Sequence, residues 1–148
     1  MKVSELTVDQ IEKHKISIIS MLQQSFEKSF PNDSNETHSF EKRIESLKKY
    51  LSNNQAIFYG VIEQDKLVGF IWFFEKDNRT IHINHFVVDE KHRGLGIGKT
   101  LWNAVEEYAI NKQIADIELF VTKENETAVN FYTNREFKVD RLVMKKRL

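Results

Sequence analysis

The sequence predicts an α+β domain with a mixed, mostly antiparallel central sheet flanked by helices. Three observations lead there. Strand-like stretches follow one another over 56–62, 67–74 and 80–88, with Gln64-Asp65 and Asp77-Asn78 as turns, the pattern of an antiparallel meander. Two stretches of helical periodicity precede them. After residue 88 the order changes to helix, strand, helix, strand, which makes the sheet mixed. The 148 residues hold no internal repeat, no low-complexity tract and no linker long enough to divide them, so 1–148 reads as one domain.

The first helix is expected over 8–26. Thr7 and Gln10 fit a capping box, and Ile11, Ile18, Leu22 and Phe26 share a face. A polar loop over 31–38 holds the only proline, Pro31. The second helix, over 39–52, repeats Phe40, Ile44, Leu47 and Leu51 at helical spacing. The third carries Ile97, Leu101, Ala104, Val105, Tyr108 and Ala109 on its apolar stripe. A strand over 114–121, a short helix over 125–134 and a closing strand over 137–145 complete the chain. Trp72, Phe73 and Phe74 read as core and pocket wall, and His14 and His38 as surface residues.

Composition narrows the function. Lys and Arg equal Asp and Glu at 22 each, without the basic excess that phosphate neutralisation by a nucleic-acid binder calls for. The absence of cysteine removes disulfides, thiolate zinc sites and a cysteine nucleophile, and no metal constellation is visible. No apolar run reaches the roughly 18 residues of a membrane span, and the stretch 16–22 is too short and too serine-rich for a signal peptide. The expectation is a soluble cytoplasmic protein without nucleic-acid or membrane partners.

The informative segment is VVDEKHRGLGIGKT, residues 87–100: a strand end, a glycine-rich loop and the start of an amphipathic helix. Glycines let the backbone turn tightly and approach a ligand, and the first amides of a helix lack intrahelical acceptors, so the segment suits a phosphate or pyrophosphate. A Walker A loop would need glycine where Arg93 stands, and a dinucleotide fingerprint would need its third glycine where Lys99 stands. The spacing that matches is R-x-x-G-x-G, as Arg93, Gly96 and Gly98.

With Asn125, Ala128, Tyr132 and Phe137 downstream, this resembles the GNAT superfamily of acetyl-CoA-dependent N-acetyltransferases, whose later segment reads N-x-x-A-x-x-x-Y-x-x-x-G-F. Two positions depart: Glu90 stands where many members carry proline, and Glu136 where glycine is frequent. The resemblance implies a sheet splayed between its fourth and fifth strands, with pantetheine against Phe86, Val87 and Val88. It implies pyrophosphate on the loop Arg93, Gly94, Leu95, Gly96, Ile97, Gly98, Lys99 and Thr100, with Asn125 and Asn130 near the thioester. Asn125 also suits a helix N-cap. Acetyl-CoA is then the acyl donor, a small-molecule or peptide primary amine the acceptor, and transfer is direct within a ternary complex without a metal. A homodimer is compatible with this.

Such a transfer needs a base for the amine and an acid for the departing thiolate. Tyr132 resembles the family's acid. For the base, strand alternation sets His82, Asn84, Phe86 and Val88 on one face; the resemblance implies a base or a relay water on that face, so His82 and Asn84 are the candidates, with His85 behind them unless a bulge shifts the phase. Phe26, Phe30 and the loop around Pro31 would shape the acceptor pocket. Two other readings stay open: a non-catalytic acyl-CoA-binding or regulatory module, and a P-loop-like nucleotide-binding domain.

Overall fold

A capping box opens the first helix of the computed structural model, which describes residues 1–31 and 37–148, with side chains in the second stretch from residue 40 onward. Gln10 N–H donates to Thr7 Oγ1 at 3.3 Å, and Thr7 N–H donates to Gln10 Oε1 at 2.9 Å. The helix expected over 8–26 is two helices, α1 (Val8–Lys13) and α2 (Lys15–Ser29). Between them His14 leaves helical angles (φ −100°, ψ 16°) and is 6 % exposed, not at the surface as expected. The bend at this point lets Ile11 and Ile18, Met21 and Leu22 all reach one core. The loop over 31–38 lies mostly outside the described residues, as does the side chain of His38. Helix α3 is Thr37–Ser52.

Among the described residues, five strands stand in the order β1-β2-β3-β4-β5. They are β1 (Val3–Glu5), β2 (Ile57–Glu63), β3 (Lys66–Glu75), β4 (Thr80–Val88) and β5 (Asp116–Leu119), and only the last pair, β4 with β5, is parallel. Helices α4 (Ile97–Asn111) and α5 (Glu126–Thr133) flank β5 in sequence. The sheet divides two cores. One lies under α1–α3 and holds Ile18, Leu22, Ile44, Phe58, Phe70, Trp72 and Val87. The other lies under α4 and holds Ile71, Phe73, Ile81, Ile83, Leu101 and Trp102. Trp72 and Phe73 are neighbours on β3 that fill opposite cores, as a pleated strand buried on both faces requires. Each such side chain contributes about 1.5–3 kcal/mol when buried.

Three departures from the sequence reading matter. Strand β1 was not expected; it adds an edge through Val3 opposite Val61. The closing strand over 137–145 is not formed. Val139, Val143 and Met144 are 79 %, 87 % and 89 % exposed, and β5 is the last strand of the sheet. Alternating residues make a strand only where a neighbouring ladder takes their backbone groups, and among the described residues none pairs with these. Third, β4 carries a bulge: Trp72 pairs with His85 and Phe73 with Ile83, so Asn84 is an extra, unpaired residue.

Candidate active site

The bulge resets the phase of β4. Ile81 and Ile83 pack under α4, and beyond Asn84 so do Phe86 and Val88. His82 stacks on Phe74, which packs against the α1–α3 core, and His85 pairs with Trp72 in that core. The expectation that His82 shares a face with Phe86 and Val88 is therefore corrected: it shares one with His85 and Val87. Asn84 is exposed and its side chain has no hydrogen bond among the described residues.

Parallel pairing of β4 with β5 runs from Thr80 with Asp116 to Ile83 with Leu119 and stops there, so the strands part at the bulge. Beyond it, Asp89 N–H donates to Val68 O at 2.9 Å. By antiparallel alternation, Val87 then also faces β3, while the backbone groups of Phe86 and Val88 face the open side. Arg93 Nε confirms this by reaching Val88 O at 3.2 Å. Val87 does not face the gap: its side chain is buried in the α1–α3 core.

The loop follows directly. Asp89 opens a 3₁₀ turn over Glu90–His92. Its carboxylate accepts from Gln24 Nε2 at 3.0 Å and His92 Nδ1 at 2.8 Å, and Gln24 Oε1 accepts from Glu90 N–H at 3.0 Å. Burial opposes the charge of Asp89, but these bonds outweigh it and hold the carboxyl below its usual range. Gly94 and Gly96 take left-handed angles (φ 78° and 84°), and a Cβ on either would meet nothing within 4 Å. From Arg93 to Lys99 no backbone amide has a backbone acceptor among the described residues; the first to find one is Thr100, on Gly96 O at 3.0 Å. Ile97 is buried and anchors the helix start, whereas Leu95 and Lys99 are exposed. Lys28, unnoticed in the sequence, lies near: burial, then the charge of Arg93, pull its ammonium below the usual lysine range. A helix N-terminus with free amides and two cations nearby can hold a diphosphate.

Helix α5 brings the downstream segment to the same region. Asn125 is its N-cap, accepting from Ala128 N–H at 3.3 Å, and its Nδ2 lies 3.5 Å from Ser29 Oγ. Asn130 is exposed without a side-chain partner among the described residues. Tyr132 packs against Trp102, Phe131 and Phe137, and burial pushes its phenol above the usual range, so it keeps its proton. Phe86 touches Phe131, linking the open edge of β4 to α5.

On the other face, His82 Nδ1 lies 2.6 Å from Glu118 Oε2, and Glu118 Oε1 accepts from Lys76 Nζ at 2.9 Å. Hydrogen bonds from Lys76 and His82 hold the Glu118 carboxyl below its usual range. An ionised carboxylate accepts only, so the shared hydrogen sits on His82 Nδ1. Nε2 has no partner among the described residues, yet no buried side-chain nitrogen or oxygen there is unpartnered, so Nε2 reaches solvent. Phe120 stacks edge-on to the ring with centroids 4.8 Å apart. Glu118 was missed because nothing in the sequence ties it to a histidine thirty-six residues earlier. Phe26 and Phe30 stack together at 5.0 Å beside α3. No group of three metal-ligating side chains is gathered among the described residues, and no described helix is long and apolar enough to cross a membrane.

The sequence model of the Acetyltransferase (GNAT) family matches residues 18–137. Streptothricin acetyltransferase of Escherichia coli is 30 % identical over 86 residues, 58 % of this chain and 49 % of that protein. Spermidine N(1)-acetyltransferase of Thermoplasma acidophilum is 29 % identical over 105 residues, 71 % of this chain and 65 % of that one. The chain thus spans from about half to under two thirds of the length of these relatives. The fold matches that of the PaiA N-acetyltransferase from Thermoplasma acidophilum, solved with coenzyme A, at a TM-score of 0.74 and 23 % identity over 95 % of this chain and 92 % of that one.

Proposed function

Since the chain belongs to the GNAT acetyltransferase family, we propose that it moves the acetyl group of acetyl-CoA to a primary amine by direct attack in a ternary complex. One observation carries the cofactor half: the amides from Arg93 to Lys99 lack backbone acceptors among the described residues and sit beside glycines whose missing side chains leave open space. Pyrophosphate fits there, near Arg93 and Lys28. The pantetheine arm fits along Phe86 and Val88, whose backbone groups face the gap between β4 and β5.

A thioester lying in that gap is approached from both faces of the sheet. From the α1–α3 side, His82 Nε2 takes a proton from the amine, directly or through water, while Glu118 holds Nδ1. The amine nitrogen attacks the thioester carbonyl carbon, the carbon–sulfur bond breaks, and Tyr132 gives its proton to sulfur from the α4 side. Asn84, exposed at the fork, is free to hold a water but cannot itself take the proton. Across the bulge at Asn84, the base candidate and the cofactor-lining residues lie on opposite faces. A non-catalytic binding module would bind acetyl-CoA without needing Tyr132 as a proton donor. The named relatives include a spermidine acetyltransferase, which supports a small polyamine-like acceptor.

The test is binding and turnover. At about 100 times its dissociation constant, acetyl-CoA should stabilise the fold by about 2.7 kcal/mol and raise the melting temperature by several degrees, while ATP and NAD should not. A coupled CoA-release assay should then show turnover with one amine class. A shift with ATP alone, or acetyl-CoA binding without CoA release on any amine, would overturn the reading.

A further inference from the structure

We infer that Gln24 of α2 is a positioning residue for the cofactor: its carboxamide holds the glycine-rich loop in the form that receives pyrophosphate. The inference rests on the proposed seat of pyrophosphate on that loop. Gln24 Nε2 donates to Asp89 Oδ1 and Gln24 Oε1 accepts from Glu90 N–H, each at 3.0 Å. An ionised carboxylate only accepts and a backbone N–H only donates, so the group between them must accept and donate side by side. A carboxamide does both; a carboxylate or an ammonium of similar reach does not. The second Asp89 oxygen is taken by His92 Nδ1 at 2.8 Å, which leaves Oδ1 to Gln24.

The loop needs a hold from outside. Gly94 and Gly96 stand at φ 78° and 84°, and glycine loses more freedom than any other residue when it is fixed. A loop that its ligand must first order gives up affinity. Gln24 stands on a helix anchored by Ile18, Met21 and Leu22 in the α1–α3 core, and it reaches a partner sixty-six residues along the chain. Glu90 makes the arrangement particular to this chain, because it stands where many members of the family carry proline. A proline opening the 3₁₀ turn would fix φ at about −65° and have no N–H to give. Here the N–H is present and Gln24 takes it, so a hydrogen bond from a neighbouring helix stands in for the ring. Asp89 has φ −54° and ψ 134°, angles that a residue before proline also adopts. The turn thus has the shape that proline would impose, and Gln24 supplies the constraint.

Calorimetric titration with acetyl-CoA, steady-state kinetics and amide exchange test this. Gln24→Met keeps the side chain's length and removes both bonds. Its acetyl-CoA dissociation constant should rise about tenfold, the worth of one or two hydrogen bonds, while kcat at saturating acetyl-CoA stays within about twofold. His82 and Tyr132 pack elsewhere and are not disturbed. Adding Glu90→Pro to Gln24→Met should restore most of the lost affinity. The Glu90 amide should exchange slowly in the wild type and fast in Gln24→Met. A merely structural Gln24 would lower the melting temperature and kcat together and gain nothing from proline. Wild-type affinity in Gln24→Met, a loss that Glu90→Pro leaves untouched, or a fast-exchanging Glu90 amide in the wild type would each overturn this inference alone. A wild type that binds no acetyl-CoA would overturn the proposed function with it.

Discussion

Trp72 Nε1 donates to Nδ1 of His85 at 3.0 Å across the β3–β4 pair. An indole N–H can only donate, so Nδ1 must be the acceptor and His85 a neutral ring with its proton on Nε2. Burial, and then the charge of Arg43, reinforce this and push its pKa down to about 4. The imidazole next to Phe86 in the chain is thus committed to packing.

That bond makes acid stability depend on His85. In the unfolded chain the ring takes a proton as pH falls through about 6.5; in the folded chain it resists until about 4. The unfolded state therefore binds more protons across this window. The stabilisation is complete above it and is lost as pH falls through it, by up to roughly 3 kcal/mol. His85→Gln, which still offers Trp72 an acceptor, should flatten the fall in melting temperature between pH 6.5 and 4. An unchanged slope would show that His85 is not the group responsible.

His82→Ala should lower kcat about 100- to 10,000-fold and abolish the acidic limb of its pH profile, while acetyl-CoA affinity is kept. Glu118→Gln, whose amide oxygen can still hold Nδ1, should cost less than His82→Ala, and wild-type kcat in Glu118→Ala would reduce Glu118 to a packing residue. His85→Ala should leave the acidic limb in place.

Tyr132→Phe keeps the ring against Trp102 and Phe137 and removes only the proton donor. Turnover should fall within the same range while the acetyl-CoA dissociation constant stays within about twofold. Wild-type turnover would reduce Tyr132 to a packing residue.

The loop glycines should separate. At Gly98 a Cβ would meet Phe86 Cζ at 3.5 Å and Val88 Cγ2 at 3.7 Å, ordinary contacts. Gly98→Val, whose γ carbons reach beyond these contacts, should weaken acetyl-CoA binding more than tenfold, with the far-ultraviolet spectrum as the check that it folds. Gly96 has φ 84°, so Gly96→Ala should also cost about 1–2 kcal/mol of stability. Full affinity in a folded Gly98→Val chain would count against the site.

Glu136 occupies a glycine's place. Glu136 N–H donates to Thr133 O and Phe137 N–H to Tyr132 O, both at 3.1 Å, the two bonds of a Schellman end, with Glu136 at φ 68°. Glu136→Gly should relieve the left-handed strain, less glycine's entropy, and raise the melting temperature by about 2–4 °C. A lower melting temperature would mean that the glutamate side chain makes up for its backbone.

The legible parts of the fold were those written in local spacing. The capping box at Thr7 and Gln10, the stripe of α4, the ends of β4 and the glycine loop all appear where periodicity and turn chemistry put them. What escaped depends on residues distant in sequence. The bulge is a mismatch between β4 and Trp72–Phe73 of β3, so β4 alone reads as an unbroken alternation. Glu118 meets His82 only through the parallel pairing of β4 and β5. Strand β1 is three residues long, too short for alternation to register. The alternation over 137–145 reads as a strand but forms none, because a pattern cannot say whether a neighbour exists.

The bulge also carries an arithmetic consequence. Counting across it, His82 and His85 fall on one face and Ile83 and Phe86 on the other, although each pair is three apart in number. Removing Asn84 would leave every other side chain of β4 on its present side, and both cores would keep their members. The inserted residue is therefore redundant for packing. What it supplies is curvature, at the place where the β4–β5 ladder ends. It acts as a shim at the mouth of the fork, a solvent-facing position that can be changed without repacking either core.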